Sequence, residues 1–284
     1  MKQIFLFLFG FVCLMGSAQS GTEVYSAQLT TTPMGYQIGT LSNCSNNPGY
    51  DNQPSFWSED SLLYAATRND QTDVVLHQLS SGEKNWLSAT GQGSEYSPLR
   101  IPMTEEFSAI RLDTTGLQRL YRYDRNGVSQ LLHPDLKIGY QLWVDATTLL
   151  CTVLVDDRMD LYLIAIEGGT ATRLQSSVGR SLQKVPNSEQ LSFIHRKDGK
   201  AIVTTLDQKT KTQEAVFVLP EGVQDYAWLA DGTLVYGQGS ALYTVGSDQA
   251  PRLLHQFKEE EIKGISRITV SPQGKSLALV GEEK

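Results

Sequence analysis

A chain of 284 residues, 40% of them apolar and 19% charged, suits one large domain or two small ones and can bury a sizeable core. A formal charge of −7 without a basic stripe argues against nucleic-acid binding, because neutralising phosphates drives most of that affinity. No low-complexity block interrupts the sequence, which argues against long disorder.

The first 18 residues read as a secretory signal peptide. Lys2 precedes a mostly apolar run from Ile4 to Met15, and Gly16 and Ala18 supply the small residues that cleavage before Gln19 requires. Ala18 and Ser20 offer a second cleavage point. The apolar run is too short to span a bilayer, so no transmembrane span is expected. Cys13 raises a lipoprotein alternative, although Gly10-Phe11-Val12 is unlike the usual residues before a lipid-modified cysteine. Two cysteines then remain, Cys44 in a polar loop and Cys151 in an apolar run; one loop thiol and one buried thiol are expected rather than a bridge.

Beyond the leader, Glu23-Val24-Tyr25 and Gln37 to Leu41 read as two strands. A strand–turn–strand unit follows and recurs: PSFWSEDSLLYAA from Pro54, SPLRIPMTEEFSAIRL from Ser97, YQLWVDATTLLCTVLV from Tyr140, LQKVPNSEQLSFIH from Leu182, DYAWLADGTLVYG from Asp225 and SRITVSPQGKSLALV from Ser266. One mid-strand position per unit (Phe56, Arg100, Trp143, Val185, Trp228, Val270) gives steps of 44, 43, 42, 43 and 42 residues. Arg100 breaks the apolar rule at that position, and the fourth unit needs a small gap. A third and a fourth short strand follow each of the first five hairpins, for example Asp73 to Leu76 and Asn85 to Leu87. Four short strands per forty-odd residues is the arithmetic of a propeller blade. The fold class is therefore all-β, a six-bladed β-propeller of four antiparallel strands per blade over residues 21–284. The last hairpin, Arg267–Val270 and Leu277–Val280, lacks two strands, and the N-terminal pair can complete it as a composite blade. Helical periodicity is confined to Lys258–Lys263.

The pattern Pro-x-Phe/Trp-Ser-x-Asp-x-x-Leu-Leu-Tyr, present as PSFWSEDSLLY and in degenerate form as SPQGKSLALV, resembles the WD-like repeats of the TolB propeller. The resemblance implies an exported, periplasmic propeller that interacts with envelope proteins. The α/β domain that precedes the TolB propeller has no counterpart expected here, because strand-like sequence begins soon after the leader.

No Gly-x-Ser-x-Gly, His-Glu-x-x-His or Cys-x-x-Cys occurs. The four histidines, His77, His133, His195 and His255, fall on second or outer strands and read as structural. Asp156, Asp157 and Asp160 suggest calcium or, equally, an acidic hairpin turn. No cofactor or metal is expected. The segments leading into the first strands carry the candidate ligand-binding residues: Tyr50, Asp51, Glu95, Tyr96, Tyr140, Arg180, Asp225, Tyr226 and Arg267. Repeat geometry carries equivalent positions to one mouth of the central channel. Tyrosine and arginine are strong contact residues there, and an arginine pair grips a carboxylate or phosphate by two-point hydrogen bonding. Filling between blades, or mutual neutralisation of Arg180 by Glu95 or Asp225, is the structural alternative. Three functions are open. One is a monomeric binding module for an envelope protein, a peptide or a small anionic ligand. The second is a glycan-active lyase or hydrolase in the same mouth, with Glu95 and Asp225 as acid/base groups. The third is a structural piece of an envelope assembly. Phe56, Trp143 and Trp228 are expected between blades.

Overall fold

The computed structural model describes residues 21–91 and 93–283; the leader reading lies outside the described residues. Alternation of apolar and polar residues within short runs separated by Gly, Asp and Asn turns produces six antiparallel sheets, five of four strands and one of four strands with a short fifth, and no helix occurs among the described residues. Lys258–Lys263 forms a single turn closed by the Glu261 and Ile262 amides on the Lys258 carbonyl.

Blade one comprises Asn52–Ser58, Ser61–Arg68, Gln71–Gln78 and Lys84–Trp86, from the channel outward. Blade two comprises Gly93–Arg100, Phe107–Asp113, Gln118–Tyr123 and Ser129–Leu131. Blade three runs Ile138–Trp143, Thr148–Val155, Arg158–Ala165 and Thr170–Gln175, and blade four Val178–Lys184, Leu191–Lys197, Lys200–Leu206 and Gln213–Val218. Blade five has Ala227–Trp228, Leu234–Gln238, Ala241–Val245 and Pro251–Gln256. In the sixth sheet Arg267–Val270 and Ser276–Glu282 are followed by Thr22–Thr32 and Gly35–Ile38, with Ser42–Asn43 also on Thr22–Thr32. The register there runs from Thr22 opposite Glu282 to Gln28 opposite Ser276.

The second strands are the most buried: Leu62 to Ala66, Leu149 to Val153 and Leu277 to Val280 face neighbouring sheets on both sides. Among the described residues a single isolated backbone bridge, Thr22 to Tyr50, joins neighbouring blades, and elsewhere side chains of the first strands make the link. Ser55 Oγ donates to the Pro98 carbonyl (2.6 Å), Gln141 Nε2 to that of Ser97 (2.9 Å) and Gln183 Nε2 to that of Tyr226 (3.1 Å). Trp143 and Trp228 do sit between blades. Each indole N–H donates to a buried serine on the second strand of the preceding blade, Trp143 to Ser108 and Trp228 to Ser192, both at 2.8 Å.

Two positions differ from expectation. In blade one a bulge between Phe56 and Ser58 admits an extra residue: Phe56 packs, as expected, against the cluster between blades six and one but is half-exposed to the channel, and its neighbour Trp57 is buried as well. In blade four Lys184, not Val185, stands opposite Leu191, where Trp143 stands opposite Leu149 and Trp228 opposite Leu234. Lys184 hydrogen-bonds the Val144 carbonyl (2.8 Å), while Arg100 covers the Trp57 ring at 4.8 Å and pairs with Glu105 (2.9 Å). Long cations at this position lay apolar stems along the wall and keep their heads hydrogen-bonded.

Candidate functional site

The first strands enclose a central channel of about 920 Å³. Its lining includes the cations Arg100, Arg180, Lys184 and Arg267 and a single acid, Asp225. In a protein of formal charge −7 the channel is thus locally cationic. Arg180 and Arg267 lie near the start of their strands and so at one mouth; Arg100 and Lys184 lie at the other end.

Tyr50, Tyr96, Tyr140, Arg180 and Arg267 converge at the first mouth. The Tyr50 and Tyr96 rings meet edge to face at 6.0 Å, and the Arg267 guanidinium lies 5.2 Å from the Tyr140 ring centre. Burial pushes the Tyr50 hydroxyl up to about 12, with Arg267 and Arg180 acting in the opposite sense. Arg180 donates to the Ser266 carbonyl, reaching from blade four past blade five to the approach of blade six. Burial holds its ionisation below the usual guanidinium range, and the nearby Arg267 charge adds to that effect. The Nε of Arg180 and the Nε of Arg267 are both buried without a hydrogen-bond partner, and neither residue forms an ion pair among the described residues.

Arg180 can make this reach because of blade five. The first strands of blades one to four are 7, 8, 6 and 7 residues long, but that of blade five has two. Its mouthward half is replaced by the irregular segment 219–226, which includes Pro220. A side cavity of about 410 Å³ opens there, between Glu221–Asp225, Gly237–Gly239 and Gly264–Ile268. Arg180, Asp225, Arg267 and Ile268 belong to both cavity and channel. Asp225 Oδ1 accepts its neighbour's backbone N–H, that of Tyr226 (3.0 Å), and makes no ion pair among the described residues. Neutralisation of Arg180 by direct contact with Glu95 or Asp225 is therefore not what the structure has.

Three of the nine expected residues point elsewhere. Successive strand residues alternate faces, so the neighbour of a channel tyrosine faces away from it. Asp51 is buried beside Tyr50 and accepts hydrogen bonds from Asn47 Nδ2 and the Thr67 amide, both at 3.1 Å. Glu95 is buried beside Tyr96 and accepts from the Ser88 and Tyr123 hydroxyls, each at 3.1 Å. Tyr226 is enclosed between blades four and five, its hydroxyl on Ser192 (2.8 Å). Strand parity accounts for Asp51 and Glu95 and removes Glu95 as an acid/base group for chemistry in the channel, whereas Tyr226, in the irregular approach to blade five, is taken by packing between blades. Asp160 is held by Arg158 (3.0 Å) and Arg173 (3.1 Å), a structural use of that carboxylate. Cys44 and Cys151 are both free, with no bridge between them; Cys44 lies in the loop after Ser42–Asn43, but it is buried there, as Cys151 is in its strand. No cluster of three His, Cys, Asp or Glu side chains with metal-binding geometry occurs among the described residues.

No family model matches this chain, and no curated protein matches it by sequence. Its fold is similar to solved six-bladed propellers of different kinds. A structure named for TolB from Agrobacterium tumefaciens superposes with a TM-score of 0.69 at 14% identity, over 94% of this chain and 99% of that one. A gluconolactonase from Xanthomonas campestris gives 0.65 at 13% identity, over 94% and 98%. An oligogalacturonate lyase in complex with manganese gives 0.59 at 14% identity, over 86% and 80%. At these identities the likeness is one of fold, and propellers carry many unrelated functions.

Proposed function

We propose that this chain is an exported, TolB-like propeller that acts as a binding module, holding an acidic envelope protein, a peptide or a small anion at the channel mouth. The observation that carries the reading is the Arg180–Arg267 pair: two guanidiniums without acidic partners, ringed by Tyr50, Tyr96 and Tyr140, in a chain whose net charge is negative. Holding two like charges together at a concave, partly dehydrated site costs free energy, and a bound anion offsets that cost. Export rests on the pattern of residues 1–18 and a periplasmic setting on the resemblance to TolB. No helix among the described residues is long and apolar enough to cross a membrane.

The test is calorimetric titration of the protein with citrate, inorganic phosphate and an acidic hexapeptide, together with capture from envelope extract. Changing Arg180 and Arg267 together to Ala is expected to weaken binding by several kcal/mol, on the scale of about 2–4 kcal/mol per desolvated contact residue. The melting temperature should change little, because the pair contributes little core. Unchanged binding of the native partner by the double variant would overturn the reading.

A further inference from the structure

The side cavity makes the ligand chemistry more specific. Its wall is shared by Arg180, Arg267 and Asp225, and all three lack an ion-pair partner among the described residues. Asp225 acts on Arg180 through space and not through a contact: no nitrogen of one lies within 4.0 Å of an oxygen of the other among the described residues. Buried opposite charges that face one cavity yet stay apart leave each other incompletely compensated. Asp225 is 8% exposed, and with Oδ1 on the Tyr226 amide its second carboxylate oxygen is left for a cation. The rim adds exposed Gln224 and Gln238, which offer neutral donors and acceptors, and the exposed acid Glu221. Gly237 and Gly239 place bare backbone along the same wall.

We propose that this cavity binds a small zwitterion with a free carboxylate and a free ammonium group, an amino acid or a short peptide with open termini. The carboxylate lies on Arg180 and Arg267, and the ammonium group on Asp225. Such a ligand separates its own charges as the cavity separates its opposite ones, so every buried charge gains a partner at once. A simple anion satisfies the arginines but leaves Asp225 unpaired and repelled, and a simple cation does the reverse. A volume of about 410 Å³ lies in the ordinary range for small-ligand sites, and the glutamine and glycine walls suit peptide groups. The inference rests on the anion-binding reading above and adds the ammonium site to it.

The experiment titrates the protein with alanine, dialanine and trialanine, each with free termini, N-acetylated or C-amidated, and with succinate. The length that binds best distinguishes an amino acid from a peptide. For that length the free form is expected to bind at least about tenfold more tightly than either blocked form, since a hydrogen bond to a charged group contributes about 1.5–3 kcal/mol. Asp225→Asn keeps an oxygen for the Tyr226 amide and should abolish the preference for the free over the acetylated probe. Arg180→Gln should weaken every carboxylate-bearing probe. If the acetylated probe binds wild type as tightly as the free one, or if succinate alone binds in an Arg180-dependent way, the zwitterion site is wrong while the anion reading stands. If nothing binds in an Arg180-dependent way, both fall. The wild-type comparison of blocked and free probes decides the matter even if a variant fails to fold.

Discussion

Asp51 is a carboxyl group enclosed by protein, with Oδ1 taking two hydrogen bonds and Oδ2 taking none. Burial pushes it up to about 7, and the nearby charge of Glu23 adds to the shift. Ser45 Oγ donates to that glutamate, so two acids and one hydroxyl meet where strand Thr22–Thr32 passes blade one. Glu95 is raised as well, again chiefly by burial, with the buried acid Asp73 across Ser88. The sign follows from linkage. A carboxyl whose folded pKa lies above its unfolded value contributes stability that is fully present below the unfolded value and is lost as pH rises through the folded one. Stability should therefore decline between about pH 4 and about pH 7. Asp51→Asn should flatten that decline and raise the melting temperature at pH 8 relative to wild type. An unchanged pH profile in thermal melts of this variant would show that Asp51 is ionised in the fold. Arg180 and Arg267 offer the opposite lesson at the same scale: their types and spacing were legible in the sequence, but their lack of acidic partners was not.

At the scale of the element, the inter-blade tryptophans are held by serines roughly 35 residues earlier, Ser108 for Trp143 and Ser192 for Trp228. Trp143→Ala or Trp228→Ala should cost about 3–5 kcal/mol in urea unfolding, the scale of large aromatic truncations. Ser192→Ala is the sharper test. It removes one oxygen but leaves two buried donors, the Tyr226 hydroxyl and the Trp228 indole N–H, without an acceptor. Each orphaned donor costs about 1–3 kcal/mol, so this small change should rival loss of a large side chain. A nearly neutral Ser192→Ala would mean that the serine is not the acceptor for both. The strand pattern explains which of these pairings the sequence could reveal. Tryptophans at blade spacing announce themselves, whereas a serine on a neighbouring strand carries no signal of its own. The one-residue shifts at Trp57 and Lys184 were likewise hidden, since a bulge changes which face a residue occupies without changing the apolar count.

At the scale of the molecule, the sixth sheet draws on both ends of the described chain. Deleting Glu23 to Leu41 removes strand Gly35–Ile38 and nearly all of Thr22–Thr32, and leaves Ser276–Glu282 as an unpaired edge beside blade one. An exposed, apolar edge is a template for association. The truncated chain should aggregate or fail to fold, visible as loss of the monomer peak in size-exclusion chromatography. A truncated chain that melts like the intact one would show that these strands are dispensable.

The sequence by itself determined the repeat, the number of blades and the order of strands within each, and it offered nine candidate residues at the approaches to the first strands. These depend on local periodicity and on a step of about 43 residues, and both are properties of the chain read in order. Only the tertiary structure decided which of those residues share a space. Strand parity sent Asp51 and Glu95 away from the channel while keeping Tyr50 and Tyr96 at it, and packing between blades took Tyr226. The two-residue first strand of blade five then opened a cavity shared by Arg180, Asp225 and Arg267. Asp225 stays out of contact with the two arginines because blades four, five and six fix three backbones independently, and no local pattern records a distance set by three separate sheets.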